Sequence, residues 1–202
     1  MKRFVLVCAA ALFIGLAGAV NAADDAQTVV QTTTDAVVER VRAEKDALRT
    51  DPAKMYGLVS EMIFPHFDFN IMSQWVLGEH WKTTDAAQQA EFVEQFRRLL
   101  VRTYATALLE DSDQSISYPP SEASHNPKTA VVKQDIKQAG GTPMPVVYRL
   151  HNKSGAWKVF DVSVDGVSLV KTYKSSFAQI ITDGGIAKLI ETLQSKNKDL
   201  GL

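Results

Sequence analysis

The hydrophobic period of this 202-residue chain changes twice, from helical to alternating at Ser115 and back to helical at Tyr173. That order constrains the fold more than any other feature. A period near 3.6 places every third or fourth side chain on one stripe, and a period of two places alternate side chains on one face. Residues 25–49 carry Val29, Val30, Thr33, Val37, Val41 and Leu48 at near-helical spacing. Asp51-Pro52 restarts the pattern, because Asp accepts from free N–H groups at a helix start and Pro lacks the N–H that would go unpaired there. Met55, Leu58, Val59, Met62 and Ile63 line the next face, which Pro65 ends. Phe67 to Leu77 is dense in large apolar groups, and Gly78 stops it.

Thr84-Asp85 opens what reads as the longest helix, running to about Glu110 and about 40 Å in length. Phe92, Phe96, Leu99, Thr103 and Ala107 form one row on it; Val93, Leu100, Tyr104 and Leu108 form the next. The two rows make a stripe wider than one helix–helix contact needs. Ser115–Tyr118, Thr129–Lys137, Pro145–Asn152 and Ala156–Val164 read as strands. Turns fall at Pro119-Pro120, Gly140-Gly141 and Lys153-Ser154-Gly155. Asp165-Gly166 turns before Val167–Val170, and helical pattern over Tyr173–Ile181 breaks at Asp183-Gly184-Gly185 before resuming from Ile186 to about Lys196. The expected class is α+β: an antiparallel sheet of about four strands, covered on one face by helices, with a helical sub-lobe. The expected organisation is one domain over residues 23–202, helical over 25–111, sheet over 115–170 and helical again over 173–197.

Residues 1–22 read as a secretory signal. Lys2 and Arg3 precede an apolar run from Phe4 to Leu16, and Val20-Asn21-Ala22 suits cleavage after Ala22. The run of 13 residues falls short of the roughly 20 that span a bilayer. Cys8 sits inside the run rather than at its end, against a lipoprotein. Cleavage removes the one cysteine and leaves 20 basic against 23 acidic residues, a net charge of −3. The mature chain is then expected to be a soluble protein outside the cytoplasm, in a bacterial periplasm, without a disulfide. Near-balanced charge with no Lys/Arg block argues against nucleic-acid binding.

Catalytic patterns are sparse. His66, His80, His125 and His151 have no metal-ligand spacing, and Glu79-His80 lacks a second histidine. No G-x-S-x-G elbow occurs, and Gly140-Gly141 and Gly184-Gly185 lack the flanks of a phosphate cradle. Asp161 is the best acid candidate. Alternation puts it with Trp157, Val159 and Ser163 on one sheet face, opposite Lys158, Phe160, Val162 and Val164. As a general base in an apolar pocket it would support a small enzyme on a cone-shaped α+β fold. Pairing with Arg149 or Lys133 on a neighbouring strand is the expected alternative.

Four ordered motifs carry a resemblance. Residues 67–82, from Phe67-Asp68-Phe69 through Met72-Ser73, Val76-Leu77-Gly78 and Trp81, resemble the F-D-F-x-x-M-S-x-x-V-L-G-x-x-W motif of the MlaC, or toluene-tolerance auxiliary, family. Phe92, Phe96, Leu99, Leu100 and Tyr104 are similar to its long-helix pattern. Trp157-Lys158-Val159-Phe160-Asp161-Val162 and Gly166-Val167-Ser168-Leu169-Val170 are similar to its W-K-V-x-D-V and G-V-S-L-V strands, and Tyr173-Lys174-Ser175-Ser176-Phe177 to its Y-R-S-x-F segment. Gln74 and Lys174 stand where the family often has Arg, and Thr172 where it often has Asn.

The resemblance implies a sheet of the nuclear-transport-factor-2-like kind joined to a helical part, with lipid tails between them. It implies a periplasmic phospholipid carrier, without enzymatic activity or cofactor. Its partners would be an outer-membrane lipoprotein–porin complex and an inner-membrane ABC transporter with an MCE-domain subunit, and its role the maintenance of outer-membrane lipid asymmetry. A monomer is expected. Such a carrier needs apolar walls only: two sixteen-carbon chains kept from water represent on the order of 20 kcal/mol. The expected wall is Phe69, Met72, Trp75, Val76, Phe96, Leu100, Tyr104, Leu108, Val147, Val162, Val164 and Tyr173, with Arg149 and Lys174 as candidate headgroup contacts.

Overall fold

The computed structural model describes residues 22–120, 126–137 and 141–198; residues 1–21 of the expected signal, His125 and Gly140 lie outside the described residues. The helical first half consists of α1 (Ala22–Thr50), α2 (Pro52–Met62), a 3₁₀ turn at Phe64–His66, α3 (Phe69–Leu77), the short α4 (His80–Thr83) and α5 (Ala86–Asp111). The caps are those the side chains dictate. Asp51 accepts from the N–H groups of Ala53 and Lys54 at 3.0 and 3.1 Å. Asp85 accepts from Gln88 N–H at 2.8 Å to start α5. Gly78, at φ 57° and ψ −128°, closes α3 in a positive-φ conformation that glycine adopts without a Cβ clash.

α5 runs 26 residues without interruption, about 39 Å. It is not the longest helix by count, because α1 and α6 (Leu169–Asn197) each hold 29 residues, but both are broken inside, at Glu44 and Gly185. The break in α6 falls within the expected Asp183-Gly184-Gly185 segment: Gly185 has φ 71° and ψ −172°.

The sheet has five strands rather than about four: β1 (Ser115–Ser117), β2 (Thr129–Lys137), β3 (Met144–His151), β4 (Lys158–Val164) and β5 (Val167–Ser168). They lie in chain order, each antiparallel to the next. The extra strand is a two-residue return after the Asp165-Gly166 turn, whose residues have φ 48° and 78°. α6 starts at Leu169, four residues before Tyr173, because the Ser168 hydroxyl accepts from Lys171 N–H at 3.2 Å and caps it. The apolar alternation of Val167–Val170 conceals that start.

One register feature overturns the simple alternation in β4. Arg149 pairs with Asp161 but Leu150 pairs with Val159, so Phe160 is an extra residue in a bulge. Val159 therefore joins Val162 and Val164 on the inner face, and Phe160 turns outward with Asp161.

Three buried apolar clusters hold these elements. Phe69, Met72, Phe92, Phe96, Phe177 and Leu189 pack α3, the first half of α5 and α6 together. Ala26 and Val30 of α1 pack on the inner sheet face over Val132, Val146, Leu150 and Val162. Val37, Val41, Met55, Leu58, Val101 and Leu109 join the rest of α1 to α2 and the second half of α5. Phe67 belongs to the rims of the first two clusters and Phe64 to those of the first and third. Asp68 fixes the chain there: its N–H donates to Val159 O at 2.8 Å, its Oδ1 caps α3 through Ile71 N–H at 2.9 Å, and its Oδ2 meets His151 Nε2 at 2.9 Å.

Candidate functional site

The three clusters do not close on one another. Between the inner sheet face, α1 and the second half of α5 they leave a cavity of about 320 Å³, within the size range of small-ligand sites. One wall is α1, through Val29, Val30, Thr33, Thr34, Val37 and Val38; the opposite wall is the sheet, through Ile116, Ile136, Val146, Tyr148, Val159, Val162 and Val164. α5 closes a side with Leu100, Val101, Tyr104, Ala105, Ala107 and Leu108, and Val59, Ile63, Phe64, Phe67, Phe69 and Met72 form an end. The apolar width of α5 divides along the helix rather than by row: Phe92, Val93, Phe96 and Leu99 of its first half pack into the first cluster, while Leu100, Tyr104, Ala107 and Leu108 of its second half face the cavity.

Of the expected wall residues, Phe69, Met72, Leu100, Tyr104, Leu108, Val162 and Val164 line the cavity. Val76 and Phe96 do not; both are fully buried in the first cluster. Tyr173 packs edge-on against Phe96, ring centres 5.2 Å apart, outside the lining. Val147 points away, because strand alternation gives the inner face to its neighbours Val146 and Tyr148. Trp75 is 43% exposed on the outer side. It meets Phe160 edge-on at 5.0 Å, and the Arg149 guanidinium lies 5.8 Å over its ring. Arg149 and Lys174 are thus remote from the cavity, the latter beside Gly78 and Glu79. Sequence reasoning missed the whole α1 wall, Phe64, Phe67 and Tyr148. Their apolar spacing was visible, but which stripe faces a void depends on how distant elements meet.

No Asp, Glu, Lys or Arg is among the described residues lining the cavity. Two of its polar groups, Tyr148 and Gln134, are tied to each other. Tyr148 Oη donates to Gln134 Oε1 at 2.6 Å, and Gln134 Nε2 donates to Tyr118 Oη at 3.5 Å. Burial pushes the Tyr148 phenol well above its ordinary value, and burial with Tyr173 beside it pushes Tyr104 up to about 12. Burial, and then the Lys158 ammonium, lowers His66. Every shift favours the neutral form, as an apolar surround requires.

Asp161 lies outside this lining and is 3% exposed. Its carboxylate accepts from Ser168 Oγ at 3.0 and 2.8 Å and from Val170 N–H at 3.3 Å. The Arg149 guanidinium, opposite it in register, stacks instead over Phe160 at 5.3 Å. Asp161 therefore secures the β4–α6 junction, and neither the apolar-pocket base nor the expected ion pair describes it. Glu79 meets Lys82 at 2.7 Å on the surface, and no group of three His, Cys, Asp or Glu side chains occurs among the described residues.

The model of the MlaC protein family matches residues 31–195. The chain belongs to the MlaC family. The MlaC match begins within α1 and ends within α6, so it takes in the sheet and most of the cavity lining. Among MlaC relatives, the chain is 30% identical over 165 residues to the toluene tolerance protein ttg2D of Pseudomonas putida, covering 81% of this chain and 76% of that one. It is 28% identical over 169 residues to the intermembrane phospholipid transport system binding protein MlaC of Haemophilus influenzae, covering 82% and 79%. A phospholipid-binding protein from Ralstonia solanacearum, solved in complex with a phospholipid, is 32% identical with a TM-score of 0.80, covering 88% of this chain and 99% of that one. Among the described residues of this MlaC-family chain, no helix is long and apolar enough to cross a membrane.

Proposed function

We propose that this chain is a periplasmic phospholipid carrier. It would move lipid between an outer-membrane lipoprotein–porin complex and an inner-membrane ABC transporter with an MCE-domain subunit, and so maintain outer-membrane lipid asymmetry. One observation supports the reading most: an apolar, uncharged cavity between sheet and helices in a chain whose structural relative holds a phospholipid. Acyl chains need only such walls, because each CH₂ withdrawn from water contributes about 0.8 kcal/mol. The tails would lie against Phe69, Met72, Leu100, Tyr104, Leu108, Val162 and Val164, together with α1. The phosphate would remain at the opening, which avoids the desolvation of a charge. Loading and release would require the walls to part or to meet a matching channel. Residues 1–22 would direct export, and the mature chain would act as a monomer with lipid as its cargo and no cofactor.

Mass spectrometry of an organic extract of the purified mature protein tests this reading. Co-purified phospholipid, or its uptake from vesicles by stripped protein, is the expected result. Protein that neither carries nor acquires phospholipid would refute it.

A further inference from the structure

At its α1–β1 edge the apolar cavity adjoins a second hollow of about 470 Å³, and Val38 and Ile116 line both. The character of the lining changes across that border. Asp35, Glu39 and Arg42 of α1 stand at i, i+4 and i+7, on one stripe of the helix, beside the residues that open β1. Arg42 is anchored: its Nε donates to the Ser112 carbonyl at 2.6 Å. Ser112 is the buried C-cap of α5 and itself lines the apolar cavity. The guanidinium thus reaches from α1 to the end of α5 at the junction of the two hollows. The described lining of the cavity carries no charged side chain, whereas these three line the annex and the Lys45–Asp113 ion pair lies beside Arg42.

We propose that this annex is a headgroup subsite selective for zwitterionic phospholipids, with the phosphate on Arg42 and an ammonium group between Asp35 and Glu39. The inference rests on the carrier reading and deepens it. The chemistry is complementary in sign and order: phosphate is the group nearest the tails, and Arg42 is the residue tied to the tail cavity through Ser112. A guanidinium is well suited to phosphate oxygens. The two carboxylates supply the counter-charge for an ammonium four or so atoms further out. A lipid with an uncharged glycerol headgroup would bring its phosphate against two uncompensated carboxylates. All three side chains are solvent-exposed, so discrimination is modest, about two- to five-fold.

The test uses stripped mature protein equilibrated with vesicles of equal parts phosphatidylethanolamine and phosphatidylglycerol, then repurified, extracted and analysed by mass spectrometry. The expected ethanolamine-to-glycerol ratio is about two- to five-fold above that of the vesicles. The double variant D35N/E39Q should return the ratio to that of the vesicles. R42Q should lower total lipid of both kinds, and R42K should restore part of it. A wild-type ratio equal to that of the vesicles, a ratio unmoved in D35N/E39Q or undiminished lipid in R42Q would each overturn the subsite while leaving the carrier intact. Failure to take up any lipid would overturn both.

Discussion

Tyr104 and Phe96 sit two turns apart on α5 and separate wall from core. Tyr104 faces the cavity and is partly open to solvent; Phe96 is fully buried against Tyr173 and Phe177. Tyr104→Asp should reduce bound lipid severalfold with little change in melting temperature, since a carboxylate beside hydrocarbon must be desolvated. Phe96→Ala should instead cost about 3–5 kcal/mol of stability through the void it leaves. Thermal melts and lipid analysis of the two variants check the contrast. Equal lipid loss at equal destabilisation would show that Tyr104 is ordinary core. Tyr104 also contributes to an alkaline limit, beside the more deeply buried Tyr148. Its folded-state value of about 12 exceeds its ordinary 10.0, so its contribution to stability is complete below pH 10 and is lost as pH rises from 10 through 12. Unfolding followed by circular dichroism across that window should show the decline, and Tyr104→Phe should make it shallower.

The period of the sequence carries most information about elements and least about their register. The two apolar rows of α5 were legible because 26 residues of one helix repeat the pattern many times. The bulge at Phe160 was not, because it exists only in the pairing of β4 with β3. With it went the facing of Val159 and Phe160; Asp161 keeps the face opposite Val162, but Ser168 and the Val170 N–H hold it rather than the expected Arg149 or Lys133. The early start of α6 was hidden for a related reason: Ser168 ends a strand and caps a helix at once. Gly185 was legible as a break, and its conformation makes a specific prediction. At φ 71° and ψ −172° only glycine is comfortable, so Gly185→Ala should cost about 1–3 kcal/mol. For a chain of this size each kcal/mol lowers the melting temperature by roughly 2–4 °C. The loss should fall on the second half of α6, where Asn197 Nδ2 donates to Gln95 O and Oε1 at 2.9 Å. An unchanged melting temperature would show that the break is not needed for that packing.

At the scale of the whole molecule, three packed clusters leave a gap between them. The helical cluster around Phe92 and Phe96 is solid, the sheet carries one apolar face, and α1 bridges that face to α2 and the far end of α5. Class and family motifs could be read from the chain, yet the site could not be read residue by residue. Valines on a helix pack a core or border a void with the same spacing. Export adds a separate prediction: the processed protein should begin at Ala23, which intact-mass measurement of periplasmic material would check against a start elsewhere. The most direct test of the central claim is a crystal structure of the mature protein loaded from vesicles. The account predicts acyl-chain density between α1 and the sheet, against Tyr104, Leu108, Tyr148 and Val164. Density for lipid elsewhere on the protein, with this cavity collapsed or filled by water alone, would contradict it.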